Sequence, residues 1–261
     1  MLPRRTFSSA ETRLTSSKNP LLREIRRAVE RGSLTSDGLC VAEGFHLLEE
    51  AQRSPCAIEL VVFADSVADR IATESFQNTI RVPDEVLASI AGTENTQGVI
   101  ALVRIAEHGT AQMFFGNALV LVLDGIQDPG NAGTLIRTAE AFGVTGIMMS
   151  RGSVSVWNPK VVRASSGSVF RMPLWHSPDP SDIPMERVQK IVAIPGNGAV
   201  PASVDFTRAT VIVVGSEARG VSDAWCEGAT YVTIPTRNVE SLNAAIAGSI
   251  VLYEALRQRV A

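Results

Sequence analysis

The chain has 261 residues, 45% of them hydrophobic, with 24 basic against 27 acidic residues and a formal net charge of −3. That length favours two domains, each large enough for its own core, and the small net charge excludes a protein that coats nucleic acid indiscriminately. The longest apolar runs fall far short of the roughly eighteen residues a spanning helix needs, so no membrane segment is expected. Cys40, Cys56 and Cys226 are widely separated and form no C-x-x-C pair, so neither a disulfide framework nor a zinc site is suggested and a reducing cytoplasm is expected.

The opening MLPRRTFSSAETR has no apolar signal core, and Glu11 and the missing amphipathic stripe argue against a transit peptide. Residues 1–31 hold eight basic residues, Arg4, Arg5, Arg13, Lys18, Arg23, Arg26, Arg27 and Arg31, against three acidic ones, a balance of +5. Leu21 to Val29 reads as a helix with Leu21, Leu22, Ile25 and Val29 inward and Arg23, Arg26 and Arg27 outward. Strands are expected at Leu39–Ala42, Ile58–Phe63, Ile80–Val82 and Val99–Val103, with helices at Phe45–Ala51 and Glu85–Ala91, an alternation that makes a small α/β domain. The polar stretch Glu107–Gly116 reads as the linker, giving domains at 1–106 and 117–261.

Leu119 to Leu123 is an unbroken apolar run, fit for a strand buried on both faces, and it stops at Asp124, Gly125, Asp128, Pro129 and Gly130. The run Gly130, Asn131, Ala132, Gly133 reads as a glycine-bearing loop, followed by a helix with Leu135, Ile136, Ala139 and Phe142 on one face and Gly143 at its C-terminal end. Another strand is expected at Ile147–Met149. Neither G-x-G-x-x-G nor a complete Walker motif is present, since Gly125 to Gly130 has the Walker spacing but continues with Asn131 and Ala132. Ser150 to Trp175 carries Arg151, Lys160, Arg163 and Arg171 and no acid, a local +4 that is either a solvated face or, with the N-terminal cluster, a surface for a phosphate backbone. Further strands at Ile191, Val211 and Val232 make a parallel sheet of five or more. The last helix is expected from about Leu242 to Arg259, with Leu242, Ala245, Ile246, Ser249, Ile250, Tyr253 and Leu256 as its core stripe.

Three segments repeat one design, an apolar strand opening into a polar or glycine-bearing loop: the one after Leu123, VIVVGSEARGVS at Val211–Ser222, and IPTRNVESLN at Ile234–Asn243. The ordered motifs N-x-G-x-x-x-R-T-A, G-S-E-x-x-G-V-S and I-P-x(n)-E-S-L-N resemble the SpoU (TrmH-like) family of the SPOUT superfamily, over about Leu119 to Arg259. The pieces SKNPLLREIRR, VAEGFHLLEEA and TQGVIALV resemble the substrate-binding domain that precedes it in many members, with Thr96 where proline is common. The resemblance implies a ribosomal L30e-like α/β domain that docks RNA and a SPOUT domain with a parallel sheet and a trefoil knot. It also implies a homodimer that uses S-adenosylmethionine and no metal to methylate ribose 2′-hydroxyls, of ribosomal RNA ahead of transfer RNA. Thr236 stands where the family usually has methionine, and Pro235–Ser241 is a residue shorter.

By that resemblance Gly215, Ile234 and Leu242 surround the donor. Gly215 is either a close-approach position, where a Cβ would block a ligand, or a strand-ending turn, while Ile234 and Leu242 are equally readable as core. Asn131, Arg137, Glu217, Ser241 and Asn243 are the polar catalytic candidates: Glu217 orients Arg137 or the nucleotide or is a surface turn, and Ser241 contacts ligand or caps the last helix. Arg137 is, by resemblance, the group acting on the ribose hydroxyl, either as a deprotonated base or as a charged clamp on phosphate and alkoxide. Lys160 and Arg163, beside Ser165 and Ser166, with Arg23 and Arg26, are the RNA-contact candidates. His46, His108 and His176 have no metal-ligand spacing. The rival classes are a catalytically inactive RNA-binding assembly protein, against which the joint presence of the five polar residues argues, and a nucleotide-binding metabolic enzyme, against which the missing phosphate motifs argue.

Overall fold

The computed structural model describes residues 12–260; Arg4, Arg5 and Glu11 lie outside them. The chain begins with β1 (Thr12–Arg13), α1 (Pro20–Arg31), β2 (Leu39–Glu43), α2 (Phe45–Gln52), β3 (Ala57–Ala64), β4 (Thr79–Val82), α3 (Asp84–Ala88) and β5 (Val99–Arg104). It continues with α4 (Thr110–Met113), β6 (Leu119–Asp124), α5 (Pro129–Ala141), β7 (Gly146–Met149), α6 (Pro159–Ala164) and β8 (Leu174–His176). Last come β9 (Gln189–Ala193), β10 (Thr210–Gly215), α7 (Asp223–Cys226), β11 (Thr230–Val232) and α8 (Ala244–Arg259). Two compact units result: the chain up to residue 106 with Ser155–Arg171, and Glu107–Val154 with the chain from Met172 onward.

The first unit is a five-stranded mixed sheet in the order β1-β4-β3-β5-β2. Asn19 starts α1 by accepting from the Leu21 N–H, Pro20 occupies its first position, and Gly32 ends it at φ 61°. The helix buries Leu22, Ile25 and Ala28 and leaves Arg23, Arg26 and Arg27 in solvent, as the spacing predicts. α6 packs in this unit with Val161 and Val162 fully buried. Around it Arg171 donates to Glu50 at 2.7 Å, and His46 Nε2 lies 2.7 Å from Ser166 Oγ. These partners are over a hundred residues away in the chain, so sequence order, which sets Trp157–Phe170 in the second domain, carries no sign of them.

The second unit is a six-stranded, wholly parallel sheet in the order β11-β9-β10-β6-β7-β8. β6 is buried at every position, and each of its leucines and valines contributes roughly 1.5–3 kcal/mol relative to exposure. The register sets Asp124 opposite Gly215, Val214 opposite Ala193 and Ala193 opposite Val232, so the loops that follow all leave one edge of the sheet. The sequence reading finds five of these strands and misses β8, three residues long and only partly buried.

Two helices differ from expectation. α5 begins at Pro129, with Asp128 as its cap, so Gly130–Gly133 forms the first turn of a helix, not a loop. Asp before Pro is itself a start signal, because proline's missing N–H and fixed φ suit the first helical position. In α8 the buried face is Ala244, Ala245, Gly248, Val251, Leu252 and Ala255, whereas Ile246, Ile250 and Tyr253 of the expected stripe are exposed. Small residues win that face because α8 lies close to α5 and β10: a Cβ on Gly248 would come within 2.5 Å of Leu135 Cδ2. No helix among the described residues is long and apolar enough to cross a membrane.

Candidate active site

Three loops at the C-terminal edge of the second sheet build the site. The first follows Asp124, turns at Gly125 (φ 65°) and enters α5 through Asp128, whose carboxylate accepts from the Asn131 N–H at 2.7 Å. The second folds back on itself after Gly215: the Gly220 N–H donates to the Ser216 carbonyl at 2.8 Å, and Gly220 is left-handed at φ 68°. A Cβ on Gly215 would sit 2.2 Å from the Gly220 carbonyl group. The glycine is therefore required by the return of its own loop, a nearer cause than the approach of a ligand. In the third segment the Thr236 hydroxyl donates to the Val239 carbonyl at 2.9 Å and Asn238 adopts φ 63°, which closes a tight turn in the shortened stretch.

Side chains from all three loops meet. Asn131 donates through Nδ2 to Glu217 Oε1, and Asn243 Nδ2 donates to Asn131 Oδ1 at 2.9 Å and to Glu217 Oε1 at 3.3 Å. The Ala244 N–H, first in α8, also points at Glu217 Oε1, at 3.4 Å, so a carboxylate rests on a helix N-terminus where the backbone dipole favours it. Asn243 is the cap of α8, accepting from the Ala245 and Ile246 N–H groups at 2.9 and 3.2 Å. That role, open for Ser241 in the sequence, falls to Asn243, while Ser241 is exposed two residues earlier. Arg137 stands apart from the cluster, exposed and with no partner for its guanidinium among the described residues; six residues beyond Asn131, it is about 9 Å further along the helix axis.

Beside the cluster lies a cavity of about 430 Å³, within the roughly 300–1,000 Å³ of small-molecule sites. Gly215, Ile234 and Leu242 all line it, together with Glu217 and Ser241. Pro195 and Gly196, after β9, line it too. The turn they form is not among the site candidates of the sequence, although its strand-into-glycine pattern matches the other loops. Asp124, a turn-former in the sequence, has a structural role as well. It is 7% exposed, accepting from the Ser150 hydroxyl at 2.6 Å and the Ser222 N–H at 2.7 Å, and so ties the end of β6 to the end of β7 and to the start of α7.

The four RNA-contact candidates lie in the first unit. Arg23 and Lys160 are exposed, Arg26 pairs with Glu30 at 2.8 Å, and Arg163 faces Glu43 at 3.7 Å with its Nη1 buried. Among the described residues no group of three or more His, Cys, Asp or Glu is arranged to hold a metal ion.

Comparison with known proteins bears on both units. The SpoU rRNA Methylase family profile matches residues 118–253, and that of the MRM3-like substrate binding domain matches residues 19–101. An uncharacterized tRNA/rRNA methyltransferase of Synechocystis sp. is 35% identical over 259 residues, covering 94% of each chain. The 23S rRNA (guanosine(2553)-2'-O)-methyltransferase of Bacillus subtilis is 28% identical, over 92% of this chain and 97% of its own. Among solved structures, an AdoMet-bound rRNA methyltransferase from Sinorhizobium meliloti superposes with a TM-score of 0.79 at 26% identity, covering 94% of this chain and 97% of that one.

Proposed function

The chain belongs to the SpoU rRNA methylase family, and from that premise we propose that it transfers the methyl group of S-adenosylmethionine to a ribose 2′-hydroxyl of ribosomal RNA. The observation that carries this reading is the meeting of Asn131, Glu217 and Asn243 beside the cavity lined by Gly215, Ile234 and Leu242. Relatives named for 23S ribosomal RNA support ribosomal over transfer RNA as the acceptor.

The residues present fit the donor. Glycines and small apolar side chains line a cavity of about 430 Å³, in the range of small-molecule sites, with Ser216, Glu217, Thr233 and Ser241 as polar groups in its wall. When bound, S-adenosylmethionine supplies an electrophilic methyl group on a sulfonium. Gly215, Ile234 and Leu242 would hold and orient it, with Pro195 and Gly196 also in the cavity wall. Asn131, Glu217 and Asn243 lock the three loops into one geometry, which is where the catalytic advantage of positioning arises. Arg137, solvent-exposed and with no partner for its guanidinium among the described residues, carries its charge toward the acceptor side, where it stabilises the oxygen as the 2′-hydroxyl gives up its proton to solvent water. An arginine acting as a base is the weaker version, because the guanidinium in proteins is essentially always protonated.

Around this chemistry we assign residues 1–106, together with the Ser155–Arg171 segment that packs in the same unit, to RNA docking, with Arg23, Arg26 and Lys160 exposed and Arg163 facing Glu43, and the remainder of residues 117–261 to a knotted SPOUT domain. The exposed Ile246, Ile250 and Tyr253 of α8 support a homodimer formed through that helix, and a cytoplasmic location follows from the ribosomal substrate. The test is calorimetry of S-adenosylmethionine binding in the presence of a chelator, followed by transfer of labelled methyl to ribosomal RNA. Donor binding without metal and label at a 2′-oxygen are expected; a folded protein that binds no donor at millimolar concentration overturns the reading.

A further inference from the structure

We propose that a second cavity of about 320 Å³, at the boundary of β6 and β10, seats the acceptor ribonucleotide, with Arg151 and Arg219 holding the phosphates on either side of it. This rests on the methyltransferase reading and adds to it where the acceptor lies and which side chains retain it.

Position is the first argument. The chain leaves β6 toward β7 and leaves β10 toward β11 on the opposite side, so the loops diverge at this boundary and open a crevice where parallel sheets bind ligands. The cavity shares Ser216, Glu217 and Gly220 with the larger one, so the two adjoin along that loop, and a direct transfer requires the acceptor oxygen and the donor methyl to meet at such a common edge.

The cavity also has two arginines among its lining residues placed to take an anion, beside three carboxylates that are held from within. Its floor is Asp124, buried and with both carboxylate oxygens engaged, Oδ1 by the Ser150 hydroxyl and Oδ2 by the Ser222 N–H. Asp128 is committed to the Asn131 N–H, and Glu217 to the three-loop cluster. Both oxygens of Asp124 and one oxygen each of Asp128 and Glu217 are thus engaged within the protein, whereas Arg151 and Arg219 are exposed. The Arg219 guanidinium has no partner among the described residues, and that of Arg151 has only Asp179, at 4.0 Å. Two exposed forks over a pocket the size of one nucleotide fit a ribonucleotide turned out of a single strand, gripped through its 5′ and 3′ phosphates.

The probe is the set of cytidine, uridine, adenosine and guanosine 3′,5′-bisphosphates, each a ribonucleotide with both flanking phosphates and a free 2′-hydroxyl. They are titrated into the full-length protein, with and without S-adenosylhomocysteine, by calorimetry or NMR. At least one is expected to bind with a millimolar or better Kd. Arg151→Ala and Arg219→Ala should each weaken it fivefold or more, the double variant should abolish it, and Arg219→Lys should recover part of the loss. S-adenosylmethionine affinity should stay within twofold throughout, which also shows that the variants are folded. Equal binding of the bisphosphate to the double variant, or none to the wild type, overturns the proposal. Failure of the methyltransferase reading shows separately, as wild-type protein that binds no S-adenosylmethionine.

Discussion

Asn243 performs two functions that substitution can separate. Its Oδ1 caps α8 and its Nδ2 joins the loops through Asn131 and Glu217. Asn243→Ser keeps the cap within a few tenths of a kcal/mol, because serine and asparagine are near-equal caps, but loses the two donations. Each is worth about 0.5–1 kcal/mol at most in so exposed a place, giving a loss of about 1 kcal/mol in total. Asn243→Ala loses the cap as well, a further ~1 kcal/mol. With a shift of about 2–4 °C per kcal/mol for a chain of this size, alanine should lower the Tm about twice as far as serine does. Activity should behave differently, since both substitutions break the same junction. If the ordering energy is lost from the transition state, single-turnover methyl transfer falls by about fivefold in each. The pair of measurements is thermal unfolding and single-turnover transfer at saturating RNA and donor. Wild-type turnover in Asn243→Ser, or turnover that tracks the Tm, would refute the role given to the junction.

Arg137→Ala is expected to lower turnover on the order of a hundredfold or more, as for a removed transition-state group, with calorimetry showing unchanged donor affinity; near-normal turnover would return Arg137 to an ordinary surface arginine. Arg259 donates to the carbonyls of Phe206, Asn117, Ala118 and Arg208, so Arg259→Ala should cost about 2–3 kcal/mol in denaturant unfolding, and a loss under about 0.5 kcal/mol would contradict that anchoring role. Hydrogen bonds from Arg257 and Gln258 hold the Glu254 carboxyl down to about 2 from its ordinary 4.5, so its contribution is present above pH 4.5 and lost as pH falls toward 2. Glu254→Gln should flatten the acid side of the stability profile, and an unchanged slope between pH 5 and 2 in acid titration would speak against it. Removing residues 1–106 should uncover Val161, Val162 and Phe170 and raise hydrophobic-dye binding; a fragment as dye-silent as the full chain would show that Ser155–Arg171 packs without the N-terminal unit.

What the sequence discloses and what it hides follow from how local each cause is. Strand ends such as Leu123–Asp124 and Val214–Gly215 are legible because a buried parallel strand must be apolar throughout and must stop at residues that can turn. The meeting of Asn131, Glu217 and Asn243, separated by up to 112 positions, is beyond spacing; the ordered motifs made it an expectation, and the sheet register brings it about. Large side chains misled the reading of α8: Ile246, Ile250 and Tyr253 have helical periodicity, but close approach of α5 and β10 selects Ala244, Gly248 and Ala255. Glycines misled it at α5, where Asp128 and Pro129 outweigh Gly130 and Gly133. Ser155–Arg171 was opaque because its partners, Glu43, His46 and Glu50, come from a distant part of the chain.

The central claim is tested most directly by mapping ribose 2′-O-methyl groups across the ribosomal RNA of cells with and without this protein. At least one 2′-O-methyl nucleotide in the large-subunit RNA should vanish in its absence, return with the wild-type chain and fail to return with Arg137→Ala. An identical set of ribose methylations in both RNA pools would contradict the assignment of this chain as a ribosomal RNA methyltransferase.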